Sequence, residues 1–199
     1  MSTGTDIARL KVTLDDVGPA VVRRIEVPFR LRLDRLHAVL QAALGWSNSH
    51  FWEFRAGDVG WGIPDRQWGD GPQDASKATL RGVIEDTGAK RLTYLYDYGD
   101  GWEHTIRIEH IGAALPGEHY PRLIDARGRC PPEDIGGPPG YAEFLEALAD
   151  PNHDRHAELK EWYDGDFDPN AVDVPAIQRH LSALAKRWSG RKPKRLKAS

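Results

Sequence analysis

Residues Tyr94–Glu109 read YLYDYGDGWEHTIRIE, two alternating runs that meet at Asp100-Gly101. Asp-Gly is a strong signal for a two-residue hairpin turn, because both central positions of a type I′ turn need positive φ. With Asp100 and Gly101 central, Tyr98 faces Glu103 and Asp97 faces His104. Successive side chains in a strand point to opposite faces. One face then carries Leu95, Asp97, Trp102, His104, Ile106 and Ile108, and the other Tyr94, Tyr96, Tyr98, Glu103, Thr105, Arg107 and Glu109. The first face is the more apolar and is expected to look inward, with Asp97 and His104 side by side. With Gly99 and Asp100 central instead, the pair becomes diagonal but stays on one face.

A carboxylate beside an imidazole fixes the tautomer and raises the basicity of the ring, which suits a general base or a metal ligand. The same pair also reads as a buried contact that satisfies its own polarity and locks the hairpin register. Both readings stay open at the level of sequence.

The chain has 199 residues, 40% hydrophobic and 29% charged, ordinary values for a globular protein. No apolar run approaches the ~18 residues of a membrane span, and MSTGTDIARLKV has no signal-peptide pattern. The single cysteine, Cys130, excludes an intramolecular disulfide and a Cys-rich zinc site. A cytoplasmic location with no membrane partner is the expectation. Net charge is −3, but it is unevenly placed. Lys186–Ser199 carries seven Lys or Arg and no acid, while Tyr141–Asp173 carries ten acids against Arg155 and Lys160. A basic tail of that kind can bind nucleic acid without sequence preference, and it equally reads as a disordered, solvated end.

Alternation over Ile7–Leu14, with Ala8, Leu10, Val12 and Leu14 on one side, predicts a strand. Asp15–Ala20 is a turn and Val21–Val27 a second strand. Leu36, Val39, Leu40, Ala43 and Leu44 recur at helical spacing, so Leu33–Leu44 is a helix, closed by Gly45. A polar turn, SNSH, leads to a strand over Phe51–Arg55, and Gly57–Gly62 returns as a hairpin. Pro64–Ser76 reads as a mobile insertion, and Thr79 as the cap of a short helix. Residues 112–140 are rich in Gly and Pro and read as a linker, with a stiff loop holding Glu133 and Asp134. Helices follow over Tyr141–Leu148, Asp154–Trp162 and Val174–Trp188. The DGDFD run at Asp164–Asp168 lacks the later ligands of an EF-hand loop and reads as an acidic turn. The expected architecture is α+β: a mainly antiparallel sheet built from hairpins, one N-terminal helix packed on it, and C-terminal helices. Residues 1–188 form one domain and 189–199 a basic disordered tail.

Four segments taken together resemble one family: LHAVLQAALGW at Leu36–Trp46, the Tyr94–Glu109 stretch, YPRLIDARGRCPPEDIGGPPGY at Tyr120–Tyr141, and EWYDGDFDP at Glu161–Pro169. In order and spacing they are similar to the plasmid pRiA4b Orf-three-like family, whose relatives include insertion-element passenger proteins labelled TnpR-like. The resemblance implies an α+β domain with a mainly antiparallel sheet. It places the family's recurring positions on Gln41, Gly45, Trp46, Asp97, Gly99, Asp100, Trp102, His104, Pro131, Pro132, Glu133, Asp134, Gly136, Gly137, Gly140 and Tyr141. Many members carry extra cysteines where this chain has Leu123 and Ile135, so a thiolate metal site would not carry over. No serine- or tyrosine-recombinase constellation accompanies the resolvase-like label.

Three functions compete. The first is a non-enzymatic accessory or binding protein linked to mobile elements, using the basic tail and the Tyr94, Tyr96 and Tyr98 face to stack on nucleic-acid bases, with Trp46 and Trp102 as further candidate binding residues. The second is a metal-dependent hydrolase or nuclease. Asp97, His104, Glu133 and Asp134 would hold a divalent ion, and His104 with Asp97 would be the catalytic pair. The third is a protein-interaction module, including a homo-oligomer.

Overall fold

A computed structural model of the protein describes residues 5–64 and 71–189. The N-terminal alternation forms β1 (Asp6–Leu14), with Ala8, Leu10, Val12 and Leu14 buried, paired with β2 (Val22–Pro28). Helical periodicity gives α1 over Leu33–Leu44, stopped by Gly45 in the left-handed region at φ 90°. The expected hairpin follows as β3 (Trp52–Ala56) and β4 (Val59–Gly62). Within the segment read as an insertion, β5 (Gln73–Asp74) runs parallel to β4; residues 65–70, including Trp68, lie outside the described residues. Thr79 caps α2 (Leu80–Thr87), its Oγ1 accepting from the Gly82 N–H at 3.1 Å. Then come β6 (Arg91–Tyr96), β7 (Trp102–Ala113), β8 (Arg122–Arg127), α3 (Gly137–Ala149), α4 (His156–Tyr163) and α5 (Val174–Ser189).

The eight strands form one sheet in the order β5-β4-β3-β6-β7-β1-β2-β8, antiparallel throughout except for the β4–β5 pair. Burial alternates along β1 and β6, so one face of the sheet meets the core and the other is partly exposed. α1 lies against the sheet beside β2 and β4, and α5 packs on α1 and on β8. The architecture is α+β with C-terminal helices. The stretch from 112 to 140 is more than a linker: β7 extends into it as far as Ala113, and β8 forms the sheet edge by pairing with β2.

The central hairpin is present in a different register. Tyr96 pairs with Trp102, Leu95 with Glu103 and Tyr94 with His104, leaving a five-residue loop, Asp97–Gly101, in place of a two-residue Asp-Gly turn. The partners differ by an odd number of positions from those expected, which turns every β6 side chain to the opposite face. Tyr94 and Tyr96 therefore point into the core, both fully buried, together with Trp102, His104 and Ile106. Energetics favour this register. Each tyrosine removes about 150–250 Å² from water, and full burial of a large side chain contributes up to about 3 kcal/mol. Leu95 would contribute about 2 kcal/mol, and Asp97 would cost free energy unless paired. The loop supplies its own closure. Asp97, at φ 59°, accepts from the Gly99 and Asp100 N–H groups through Oδ1 (2.9 and 3.3 Å), and its carbonyl accepts from Gly101 N–H at 2.7 Å.

Candidate metal centre

Three segments converge at one end of the β6–β7 hairpin: the turn after α1 (residues 45–50), the hairpin loop (97–101) and the Pro-Pro-Glu-Asp loop (131–137). The contacts between the last two explain the glycine pair that opens α3. Gly136 N–H donates to Asp100 Oδ2 at 3.2 Å, and Gly137, at φ 69°, lies so close that an added Cβ would sit 2.2 Å from the Asp100 carbonyl oxygen. A side chain at 137 would push the two loops apart. The first segment is tied in by Trp46, whose Nε1–H donates to the Pro131 carbonyl at 3.0 Å.

Glu133 is the hub. Its Oε2 accepts from Ser47 N–H (2.9 Å) and Ser47 Oγ–H (2.5 Å), and its Oε1 accepts from the Tyr96 hydroxyl (2.5 Å). The same Tyr96 oxygen accepts from Ser49 N–H at 3.0 Å. Burial and the adjacent carboxylate raise the Tyr96 pKa, so the phenol stays protonated and donating. A second network holds the turn from below. Gln41 Nε2–H donates to Tyr94 Oη (3.1 Å), which lies 2.7 Å from His37 Nδ1. His37 Nε2 contacts Asn48 Oδ1 (2.5 Å), and Asn48 N–H returns to Gln41 Oε1 (2.9 Å). Because an amide oxygen only accepts, the proton sits on His37 Nε2, and Nδ1 receives the Tyr94 hydroxyl proton. Burial lowers the His37 pKa to about 4, keeping the ring neutral while it stacks on Trp52 at 4.0 Å.

These supports present His50, Asp97 and Asp134 to one another. His50 Nδ1 is 3.5 Å from Asp97 Oδ2, and His50 Nε2 is 3.1 Å from Asp134 Oδ1. One ligand atom from each of the three residues falls within 4.8 Å of the others. The Nε2–Asp134 approach is close but off the N–H direction, so Nε2 is buried without a hydrogen-bond partner among the described residues. Asp97 and Asp134 both hold left-handed backbone (φ 59° and 61°). Such conformations cost free energy, less for Asp than for most residues, and they collect at functional sites. Beside the three residues, Phe51 and Tyr98 stack with ring centroids 6.4 Å apart, 67% and 53% exposed.

The expected cluster is therefore reassembled. Asp97 and Asp134 come together, Glu133 is adjacent but spends its oxygens on Ser47 and Tyr96, and His104 stands apart. His104 is fully buried under the edge of Trp46, its Nδ1–H donating to the Tyr94 carbonyl at 3.1 Å, with no hydrogen bond to Asp97. The changed register causes this, by moving Asp97 out of the strand and into the loop. Burial lowers the His104 pKa to about 4. Tyr94 and Tyr96, expected on an exposed face, are internal hydrogen-bonding groups, and Trp46 and Trp102 are core residues. Tyr98 alone of the three tyrosines is exposed. His50 and His37 were not singled out by sequence; a histidine in a polar turn and another inside an amphipathic helix carry no spacing signal.

Over residues 6–176 the chain matches the family described as plasmid pRiA4b ORF-3-like protein. It belongs to that family. It is 55% identical over 184 residues to "Uncharacterized protein y4hQ" of Sinorhizobium fredii (strain NBRC 101917 / NGR234), covering 92% of this chain and 94% of that one. The fold is similar to the crystal structure of MM3350, a protein of unknown function from Methanosarcina mazei Go1, with a TM-score of 0.79 and 30% identity over 87% of this chain and 98% of that one. In this pRiA4b ORF-3-like protein the four segments that carry the resemblance lie on α1 and its stop (Leu36–Trp46), the β6–β7 hairpin (Tyr94–Glu109), β8 with the Pro-Pro-Glu-Asp loop (Tyr120–Tyr141), and the end of α4 with the turn after it (Glu161–Pro169). Among the described residues no helix is long and apolar enough to cross a membrane.

Proposed function

We propose that this pRiA4b ORF-3-like protein binds a divalent cation through His50, Asp97 and Asp134, and that the ion serves metal-assisted hydrolysis of a phosphoester. The observation that carries the reading is the convergence of one imidazole and two carboxylates, from three separate loops, within 4.8 Å. An imidazole with two carboxylates suits Zn²⁺ or Mn²⁺ better than Ca²⁺. Three protein ligands leave coordination positions for water and substrate, the arrangement a hydrolytic ion needs. The exposed Phe51–Tyr98 pair offers a surface on which a planar substrate ring can stack. Metal analysis after dialysis against Zn²⁺ or Mn²⁺, with titration calorimetry, tests the centre. The expected result is one equivalent per chain, lost in His50→Ala and Asp97→Asn. Absence of stoichiometric metal in the unaltered protein overturns the reading. Turnover of bis(p-nitrophenyl) phosphate by the metal-loaded protein, absent in Asp97→Asn, tests the chemistry.

A second reading is a non-enzymatic accessory or binding protein linked to mobile elements. It is supported by the plasmid-derived family description and by the seven Lys or Arg of Lys186–Ser199. With Tyr94 and Tyr96 buried, stacking falls to Tyr98 and Phe51. Filter binding to single- and double-stranded nucleic acid at two salt concentrations distinguishes it. A charge-driven complex weakens steeply as salt rises, and an absence of binding at low salt removes the reading.

A further inference from the structure

A cavity of about 560 Å³, whose walls do not include His50, Asp97 or Asp134, opens between the end of α1, residues 129–133 and the α4–α5 region. Its wall contains two guanidinium groups, Arg23 and Arg129, neither with a carboxylate within 4.0 Å among the described residues. Arg23 is 2% exposed. Its Nε–H donates to the Ala43 carbonyl (2.8 Å), and its Nη1 contacts the carbonyls of Val22, Arg127 and Gly128 (each 2.9 Å). Among the described residues Nη2 is left with only the Cys130 sulfur, at 3.9 Å. Burial pushes the Cys130 thiol up to about 11, so the sulfur carries no negative charge at neutral pH. Burial also lowers the Arg23 pKa, but a guanidinium stays protonated in proteins, so a cation met by carbonyl dipoles but by no carboxylate among the described residues is held at the wall. Such a charge is costly unless an anion meets it.

The second guanidinium is preset by aromatic rings. Arg129 lies over Phe167 (4.7 Å) and Tyr163 (5.7 Å) and donates to the Tyr163 hydroxyl at 2.6 Å. Two acids also line the cavity, their oxygens held by neutral donors and not by either guanidinium: Glu133 by Ser47 and Tyr96, and Asp173 by the Ala176 N–H at 2.8 Å. The remaining wall is largely apolar, including Leu44, Trp46, Val172 and Ile177.

We propose that this cavity is a binding site for a small organic anion, an apolar or aromatic body carrying one carboxylate-type head that Arg23 and Arg129 hold. The size is that of a small-ligand pocket, and a guanidinium suits the planar oxygens of a carboxylate. The site stands independently of the metal centre, because none of its cations belongs to that cluster.

The test uses the full chain, with and without EDTA, and displacement of 1-anilinonaphthalene-8-sulfonate by 2-naphthoate, 2-naphthamide or inorganic phosphate. The expected result is saturable displacement by 2-naphthoate at one site, at least tenfold weaker displacement by the neutral amide, and weak displacement by phosphate. Arg129→Gln is expected to weaken 2-naphthoate at least tenfold, and Ala176→Phe, which fills the cavity, to abolish its binding, both with native circular dichroism. Arg23→Lys is a harsher variant because it breaks the carbonyl contacts, so Arg129→Gln carries the charge test. Equal affinity for the acid and the amide, unchanged binding in Ala176→Phe, or no binding of 2-naphthoate up to millimolar concentration overturns the proposal. Phosphate binding as tightly as 2-naphthoate overturns the apolar body.

Discussion

Lowering the pH from 7 to 5 should destabilise this protein through two buried imidazoles, before most carboxylates titrate. His37 and His104 are 5% and 0% exposed, and burial holds each pKa at about 4 against an ordinary 6.5. The folded value lies below the unfolded one, so as pH falls the unfolded chain takes up protons first. The stability contributed by keeping each ring neutral is complete above about pH 6.5 and is lost progressively down to about pH 4. For a shift of that size the loss between pH 7 and pH 5 is about 2 kcal/mol per histidine. Two such groups give about 4 kcal/mol, an order-of-magnitude figure that is a large share of a typical domain's 5–15 kcal/mol. Glu26, whose pKa is lowered despite burial by Arg9 and Arg122, adds to the loss chiefly below pH 5, and Asp15, raised by burial, opposes it.

Urea unfolding read at intervals across that range is the assay. At an m-value of about 2–3 kcal/mol/M the midpoint should fall by about 1–2 M. His104→Gln and His37→Gln will each change absolute stability, so the quantity that decides is the slope of stability against pH. Each variant should remove about half of it. Carbon-13 NMR of the imidazole carbons should show both rings neutral down to pH 5 in the folded state. A midpoint that does not move between pH 7 and 5, or a His104 ring that titrates near 6.5, would falsify the sealed placement of that residue and reopen it as a catalytic base.

Two other perturbations follow from particular contacts. Gly137→Ala should destabilise the fold by about 2–3 kcal/mol, through a positive φ and a collision with the Asp100 carbonyl, and should lower divalent-cation affinity by separating Asp97 from Asp134; an unchanged thermal midpoint contradicts the close approach. Tyr141→Phe should be neutral or stabilising by up to about 1 kcal/mol, because the Tyr141 hydroxyl is buried with no hydrogen-bond partner among the described residues; a loss above about 1 kcal/mol would mean that the hydroxyl has a partner after all.

The elements that local physics controls were legible in the sequence. Helix α1 was readable to its ends because the apolar spacing, Asp34 in the first turn and Gly45 at the left-handed stop agree. β1 was readable because a half-buried strand must alternate. The register of β6–β7 was not, because two loop chemistries compete there. Asp100-Gly101 favours a two-residue turn, whereas Asp97 can accept from Gly99 and Asp100 and close a longer one. What decides is the tertiary gain from burying Tyr94 and Tyr96, which no window of sequence contains. The site inherits that difference. Asp134 was found as an acid in a stiff loop and Asp97 as a strand acid facing His104, but their histidine could not be, since His50 reaches them only once the turn after α1 is fastened to the Pro-Pro-Glu-Asp loop.

That fastening yields the strictest test of how the parts are joined. Glu133 receives three donors on two oxygens, and the loop that carries it forms one wall of the proposed metal centre through Asp134 and one wall of the cavity through Pro132. Glu133→Gln keeps the shape but converts one acceptor oxygen into a donor amide. With the remaining oxygen kept toward the Ser47 donors, the new amide meets Tyr96 Oη, which can accept from it only by giving up the bond it now donates to Glu133. Losing a charge-assisted bond costs about 2 kcal/mol, with partial relief from water at this half-buried position. If the loop is one rigid wall, the variant should weaken Mn²⁺ or Zn²⁺ binding and 2-naphthoate binding together, although Glu133 is assigned as a ligand in neither site. A defect confined to the metal centre would mean that Glu133 positions Asp134 alone and that the cavity is held by Trp46 and Pro131. No defect in either would mean that the Ser47 and Tyr96 contacts do not position the loop.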